Sequence, residues 1–169
     1  MHVHRGYLPG CIGRIAELHA THYAAAAGFG LQFEAKVACE LAQFCVSYEP
    51  ERDGLWLAVD DGVVHGAIAI DGSHAADAGA HLRWFIVADA LRGRGLGSAL
   101  LDEAIAFCRR QGHGRVHLWT FAGLDAARHL YEKHGFRLEH ARRGAQWGKE
   151  VDEQHFALRL RLRRAAPLR

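Results

Sequence analysis

Leu91-Arg92-Gly93-Arg94-Gly95-Leu96-Gly97-Ser98-Ala99-Leu100 is the stretch on which the reading of this chain turns. It follows a strand-like run, Leu82-Arg83-Trp84-Phe85-Ile86-Val87, and opens a helical one that extends to Arg110. A strand that ends in a glycine-rich turn and becomes a helix N-terminus gathers several free backbone N–H groups in one place. Those donors, with the positive end of the helix dipole, suit a phosphate-bearing ligand. Gly93, Gly95 and Gly97 lack Cβ atoms, so backbone can approach an anion closely, and Arg92 and Arg94 add charge on the same turn.

Two familiar phosphate loops fail here. A Walker loop needs G-x-x-x-x-G-K-[ST], and the turn has no lysine. A dinucleotide fingerprint needs glycine or alanine at its third fixed position, but that position is Ser98 counted from Gly93 and Leu100 counted from Gly95. What fits is R-x-x-G-x-G, with Arg92, Gly95 and Gly97 in the fixed positions.

The rest of the 169 residues bounds what surrounds the turn. Half are hydrophobic and 24% charged, an ordinary globular composition for one domain, 1–169. No apolar run approaches the ~18 residues of a membrane span, and Met-His-Val-His-Arg-Gly-Tyr does not resemble a signal peptide. A cytoplasmic protein with no membrane partner is expected. Cys11, Cys39, Cys45 and Cys108 form no C-x-x-C pair and read as small buried hydrophobes in a reducing compartment. The formal net charge of +2 makes no case for nucleic acid. The arginine-rich end, 160–169, is expected to be a frayed basic tail. Among thirteen histidines, His19 with His22 and His2 with His4 have metal-pair spacing. Neither pair has a third ligand at a persuasive spacing, so no metal is expected.

The periodicity orders the chain β-α-α-β-β-β-α-β-α-β-β, an α/β (α+β) mixed sheet with helices on its faces. His2–Tyr7 is the first strand and Cys11–Ala27 the first helix, with Ile12, Ile15, Leu18 and His22 near one face. Phe33, Val37, Leu41 and Phe44 mark a second helix, about 33–47. Leu55–Val59 and Val63–Ile70 flank the hairpin signal Asp60-Asp61-Gly62. Next come a soft loop over Asp71–Gly79, a strand His81–Val87, and the helix with Leu96, Leu100, Ala104 and Phe107 on one face. Val116–Phe121, a helix Asp125–His134, Phe136–Glu139 and His155–Leu162 finish the pattern. The last strand alternates and reads as buried on one face.

A second motif lies in the short helix: Tyr131-Glu132-Lys133-His134-Gly135-Phe136 is similar to a Y-x-x-x-G-F helix ending. Together the two motifs and the element order resemble the GCN5-related N-acetyltransferase (GNAT) family. The run Gln146–Val151 and the segment Gly54–Gly72 are similar to acetyltransferase modules fused behind MarR-type regulators. With no winged-helix segment here, a free-standing version is expected.

The resemblance implies a splayed central strand pair, with the pantetheine arm of acetyl-CoA lying in the gap. Phe85, Ile86 and Val87 then supply backbone groups to the pantetheine and thioester. The N–H groups of Arg92, Gly93, Arg94, Gly95, Leu96, Gly97 and Ser98 hold the pyrophosphate. The implied reaction is direct attack of a primary amine on the thioester in a ternary complex. A primary amine with pKa about 10 must first lose a proton. The oxyanion needs a donor, for which the Val87 N–H is a candidate. The departing thiolate takes a proton from Tyr131, which matches the family's general acid.

His81 falls where some relatives carry a basic glutamate, and strand alternation groups it with Arg83, Phe85 and Val87. Glu34 and His19, on the helices that wall the acceptor site, and a water chain are the other candidates for the base. Arg83 is positioned to clamp a carboxylate, which favours an amino acid or related small amine as acceptor. Glu34 is assigned to the same acceptor side. Leu124 stands where the family often has a cofactor-contacting asparagine, which puts one hydrogen bond in doubt. Protein amines are the alternative acceptors, and an acyl-CoA sensor without turnover is the alternative to an enzyme. A homodimer with the last strand at its interface is also compatible.

Overall fold

The computed structural model describes residues 1–161; Leu162 and the rest of the expected basic tail lie outside them. The elements follow the expected order: β1 (His2–Arg5), α1 (Cys11–Ala27), α2 (Leu31–Val46), β2 (Gly54–Asp60), β3 (Val63–Asp71), β4 (Ala80–Val87), α3 (Leu96–Gln111), β5 (Arg115–Phe121), α4 (Asp125–Lys133), β6 (Arg137–Gly144) and β7 (Val151–Arg159). A single 3-10 turn, Asp89–Leu91, links β4 to the glycine turn. The seven strands form one sheet in the order β1-β2-β3-β4-β5-β7-β6. Only β4 and β5 run parallel; every other neighbour is antiparallel.

Strand alternation sends each face of the sheet to its own helix pair. Leu55, Leu57 and Val59 of β2 join Ile15, Phe33, Leu41 and Phe44 beneath α1 and α2. Trp56 and Ala58, one residue out of phase, join Leu100, Ala104 and Phe107 of α3. Leu100, Ala104 and Phe107 are fully buried, as the helical spacing requires. Cutting such a Leu or Phe to Ala costs about 2–5 kcal/mol. Cys39 departs from the expectation for the cysteines: it lies exposed on the outer side of α2, while Cys11 and Cys108 are buried.

The end of the chain differs most from the sequence pattern. β6 extends to Gly144, well past Glu139. It is an edge strand exposed along nearly its whole length, so no hydrophobic alternation announces it. β7 lies inside the sheet between β5 and β6, not at an edge. His155 and Ala157 are buried along with Phe156 and Leu158, so both faces of its middle are covered. Leu160, expected in the frayed tail, is buried, and its amide donates to the Gly114 carbonyl at 2.9 Å.

His19 sits inside the α1–α2 layer, 6% exposed, with Nδ1 2.9 Å from the Ile15 carbonyl. Burial pushes its pKa down from 6.5 to about 4. The unfolded chain therefore binds the extra proton first as pH falls. The stability this neutral ring carries is complete above pH 6.5 and declines as pH drops toward 4. Between pH 7 and 5 the loss from His19 alone is about 2 kcal/mol. Denaturant melts at the two pH values should show a pH-dependent loss that is smaller by this amount in His19→Gln; an unchanged difference would contradict the assignment.

Candidate active site

The glycine turn forms as its composition demands. Gly93 and Gly95 take φ of +75° and +81°, the left-handed region that a side chain resists. Gly95 is the N-cap of α3 and offers no side chain to its first turn, and the first intrahelical bond runs from the Ala99 amide to the Gly95 carbonyl. The amides of Leu96, Gly97 and Ser98 thus point out of the helix start without backbone partners. The exposed glycines leave the approach open: a Cβ at Gly93 or Gly95 would meet nothing within 4 Å. Arg92 braces the turn, its Nε 3.1 Å from the Val87 carbonyl and 3.0 Å from Asp89. Arg94 is exposed beside the same amides. Ser98 Oγ lies 3.4 Å from His134 Nε2, which also contacts Asp102 at 3.0 Å. This donor set fits a diphosphate.

At its β3 side and its β5 side, β4 behaves differently. With β5 it pairs only through Ala80–Val116 and His81–His117, after which the two strands part. With β3 it stays paired to Val87, through a register slip opposite Ile68. The slip centres on Trp84, whose φ of +46° is rare for a bulky residue. It reverses the alternation. Leu82 packs toward α3, but Trp84 and Ile86 pack toward α1 and α2. Phe85 and Val87 then turn to the α3 side, so they do not share a face with His81 and Arg83 as regular alternation predicts.

The same geometry sorts the amides of the strand end. The Ala88 amide donates to His65 across a register in which Val87 faces Gly66. Val87 is therefore a non-hydrogen-bonded pair, and its N–H points away from β3, into the gap. Ile86, one residue back, faces β3 with its backbone. Of the three backbone sites expected to meet pantetheine, Val87 has a free amide and Ile86 does not.

The gap opens into a cleft of about 680 Å³ between the split strands and helices α1 and α2. Tyr131 lines it from α4, 7% exposed, with its ring 6.1 Å from Phe85 and 5.9 Å from Phe136. Burial raises the phenol pKa above its ordinary value, so Tyr131 remains protonated at neutral pH. His81 also lines the cleft, stacked on His117 at 4.6 Å. Burial, with His117 and Arg83 nearby, lowers its pKa to about 2. The His81 ring is therefore neutral at neutral pH.

Arg83 lines the cleft but is already engaged. It pairs with Glu40 and, at 3.7 Å, with Asp71, and its guanidinium lies 4.1 Å above the Trp84 ring. Glu34 is exposed and does not line the cleft; Glu40, further along α2, does. His19 reaches the wall as a neutral, buried ring. The expected pair His19 and His22 does not act together, because His22 turns to Asp89 at 2.9 Å. Leu124 is the N-cap of α4 and makes no side-chain cap.

Several cleft residues gave no signal in the sequence. Tyr23, Phe29, Phe33, Phe121 and Trp147 form one aromatic wall, with Trp147 5.5 Å from Phe121 and 6.3 Å from Phe29. Trp147 comes from the β6–β7 turn, held down where Lys149 Nζ donates to the Ala27 carbonyl at 2.7 Å. Gly148 permits this approach: a Cβ there would lie 2.6 Å from the Gln32 side chain. No single-strand or helix periodicity reports a wall built from five separate segments.

Residues 27–136 match the model of the acetyltransferase (GNAT) family. No curated protein matches the chain. Among solved structures, a GNAT-family protein from Desulfovibrio desulfuricans is 24% identical over 94% of this chain and 98% of its own, with a TM-score of 0.70. A ribosomal-protein-alanine N-acetyltransferase from Brucella melitensis is 16% identical over 95% and 100%, with a TM-score of 0.74. YncA from Salmonella typhimurium, solved with its cofactor acetyl-CoA, is 20% identical over 99% and 97%, with a TM-score of 0.71. The turn with free amides, the split strands and the matched family model agree: this chain belongs to the GNAT acetyltransferase family.

Proposed function

We propose that this enzyme moves the acetyl group of acetyl-CoA to a primary amine by direct attack, with both substrates bound together in the β4–β5 cleft. The observation that carries this reading is positional. The free amides of the Gly93–Ser98 turn stand at one end of the strand gap, and the Tyr131 phenol lines the cleft beyond it.

In this reading the turn amides, with Arg92 and Arg94, hold the diphosphate. The Val87 N–H meets the negative charge that develops on the thioester oxygen. Phe85 and Val87 pack the α3 side of the gap. Tyr131, protonated at neutral pH, donates its proton to the leaving sulfur, and the proton shed by the attacking nitrogen restores the phenol. His81 takes part as a neutral hydrogen-bond acceptor for the amine, not as a group that titrates near neutrality. The acid limb of the rate profile then belongs to the acceptor's own ammonium group.

The acceptor we propose is a small amine. The cleft holds both the pantetheine end and the acceptor in about 680 Å³, walled by aromatic rings. Lys36 and Arg83 are balanced there by Glu40 and Asp71, so the wall carries little net charge. An amino acid would place its carboxylate by competing with Glu40 for Arg83. A screen for thiol release from acetyl-CoA, across amino acids, aromatic amines, polyamines and alanine-starting peptides, tests this. Turnover with small amines is expected, and turnover with peptides alone would overturn it.

Three variants test the assigned roles. Tyr131→Phe should lower kcat at least about tenfold with acetyl-CoA affinity unchanged. Parental turnover would remove the tyrosine from the chemistry. Gly95→Ala forces a side chain into positive φ and should weaken coenzyme A binding roughly tenfold by calorimetry, with a stability loss of about 1 kcal/mol. Parental affinity would show that the turn does not grip the diphosphate. His81→Gln should leave the acid limb of the kcat/KM profile in place, whereas a displaced limb would make His81 the base after all.

A further inference from the structure

The cleft histidines continue as a row beyond the cleft. His117 Nδ1 lies 3.0 Å from His155 Nε2, and the row ends on β6 at His140, whose ring stacks on His155 with centroids 5.9 Å apart. The far nitrogen of His155 is left over. Its side chain is 9% exposed, and Nδ1 is buried without a hydrogen-bond partner among the described residues. The nearest carboxylate oxygen, Glu139 Oε2, stands 3.7 Å away, beyond hydrogen-bond reach.

The contact with His117 engages Nε2 of His155, which leaves the buried Nδ1, facing the Glu139 carboxylate, without a hydrogen-bond partner among the described residues and open to a metal ion. A local irregularity of the sheet brings in a third group. β6 slips register between Leu138, opposite Phe156, and His140, opposite His155. Glu139 is the extra residue, so neighbours that would point to opposite faces both reach His155. One ligand atom from each of Glu139, His140 and His155 lies within 4.8 Å of the others.

We propose that Glu139, His140 and His155 bind one divalent transition-metal ion of the zinc class, with His117 as the positioning residue behind His155. Two imidazoles and one carboxylate select such an ion over calcium or magnesium. Metal–ligand bonds near 2.0–2.2 Å require ligand atoms roughly 3.3 Å apart, so the site closes by up to about 1.5 Å on binding. Glu139 and His140 are exposed and supply that movement. Arg115 pairs with Oε2 of Glu139 and with the Ala78 carbonyl, orienting the carboxylate so that this oxygen, with a further lone pair, faces His155. The proposal is independent of the acetyl-transfer reading.

Chelator-stripped protein titrated with Zn²⁺ by calorimetry, and with Co²⁺ by visible absorption, tests it. One equivalent should bind, and Co²⁺ should develop the ligand-field bands of a nitrogen-rich site. His140→Ala and Glu139→Gln, both at exposed positions, should each weaken binding at least about tenfold while the thermal melt stays parental. His117→Gln removes no ligand and should weaken binding by roughly the same factor through loss of orientation. The double change His2→Gln with His4→Gln should leave the site intact. No stoichiometric binding, binding that survives both His140→Ala and Glu139→Gln, or binding lost only with His2 and His4, would overturn the proposal.

Discussion

β4 and β5 share two residue pairs and then separate, so the backbone groups that face the gap beyond His81 and His117 must find partners other than a neighbouring strand. A buried amide without a partner costs about 1–3 kcal/mol, and a sheet does not keep such a gap without a reason. Here the Val87 amide faces the gap while the Ala88 amide is held by β3. An extended ligand with its own amides satisfies that edge as a strand would. The split thus determines where the pantetheine arm lies, and the glycine turn at its end determines where the charged end of the molecule is held.

Packing maintains the split. On one side, Leu100, Ala104 and Phe107 bind α3 to the sheet, fixing the helix start that carries the free amides. On the other, Trp84 turns through a positive φ and packs against the α1–α2 layer, 5.3 Å from Phe44. That reversal places Phe85 by Tyr131 while leaving His81 and Arg83 on the opposite face. The strained residue is itself buried in the α1–α2 layer, which is how an unfavourable backbone conformation persists. Tyr131 belongs to the same core as Phe136 and Phe156, so its phenol is fixed by apolar contacts and not by hydrogen bonds.

Most of the architecture could be read in the residue pattern because the pattern and the burial have the same cause. Phe33, Val37, Leu41 and Phe44, spaced for one helix face, are the buried residues of α2. The glycine turn was legible because few other functions require three glycines between a strand and a helix. What escaped was whatever depended on departures from regularity. The slip at Trp84 inverted the face of Phe85 and Val87, and no composition rule marks it. Edge strand β6, exposed on both faces, has no apolar rhythm to detect. Trp147, Glu40 and Asp71 come to the cleft from separate segments, so their proximity exists only after folding. Arg83 was visible as a cation, but its engagement by Glu40 was not.

The most direct test of this account is amide hydrogen exchange, read residue by residue with and without coenzyme A. In the free protein Ile86 should exchange slowly and Val87 and the Gly95–Ser98 amides quickly, since only the first faces a strand partner. Adding the ligand should slow Val87 and Gly95–Ser98 together while leaving Ile86 as it was. If those amides exchanged at the same rate with saturating ligand bound, the split strands and the glycine turn would not be the binding site.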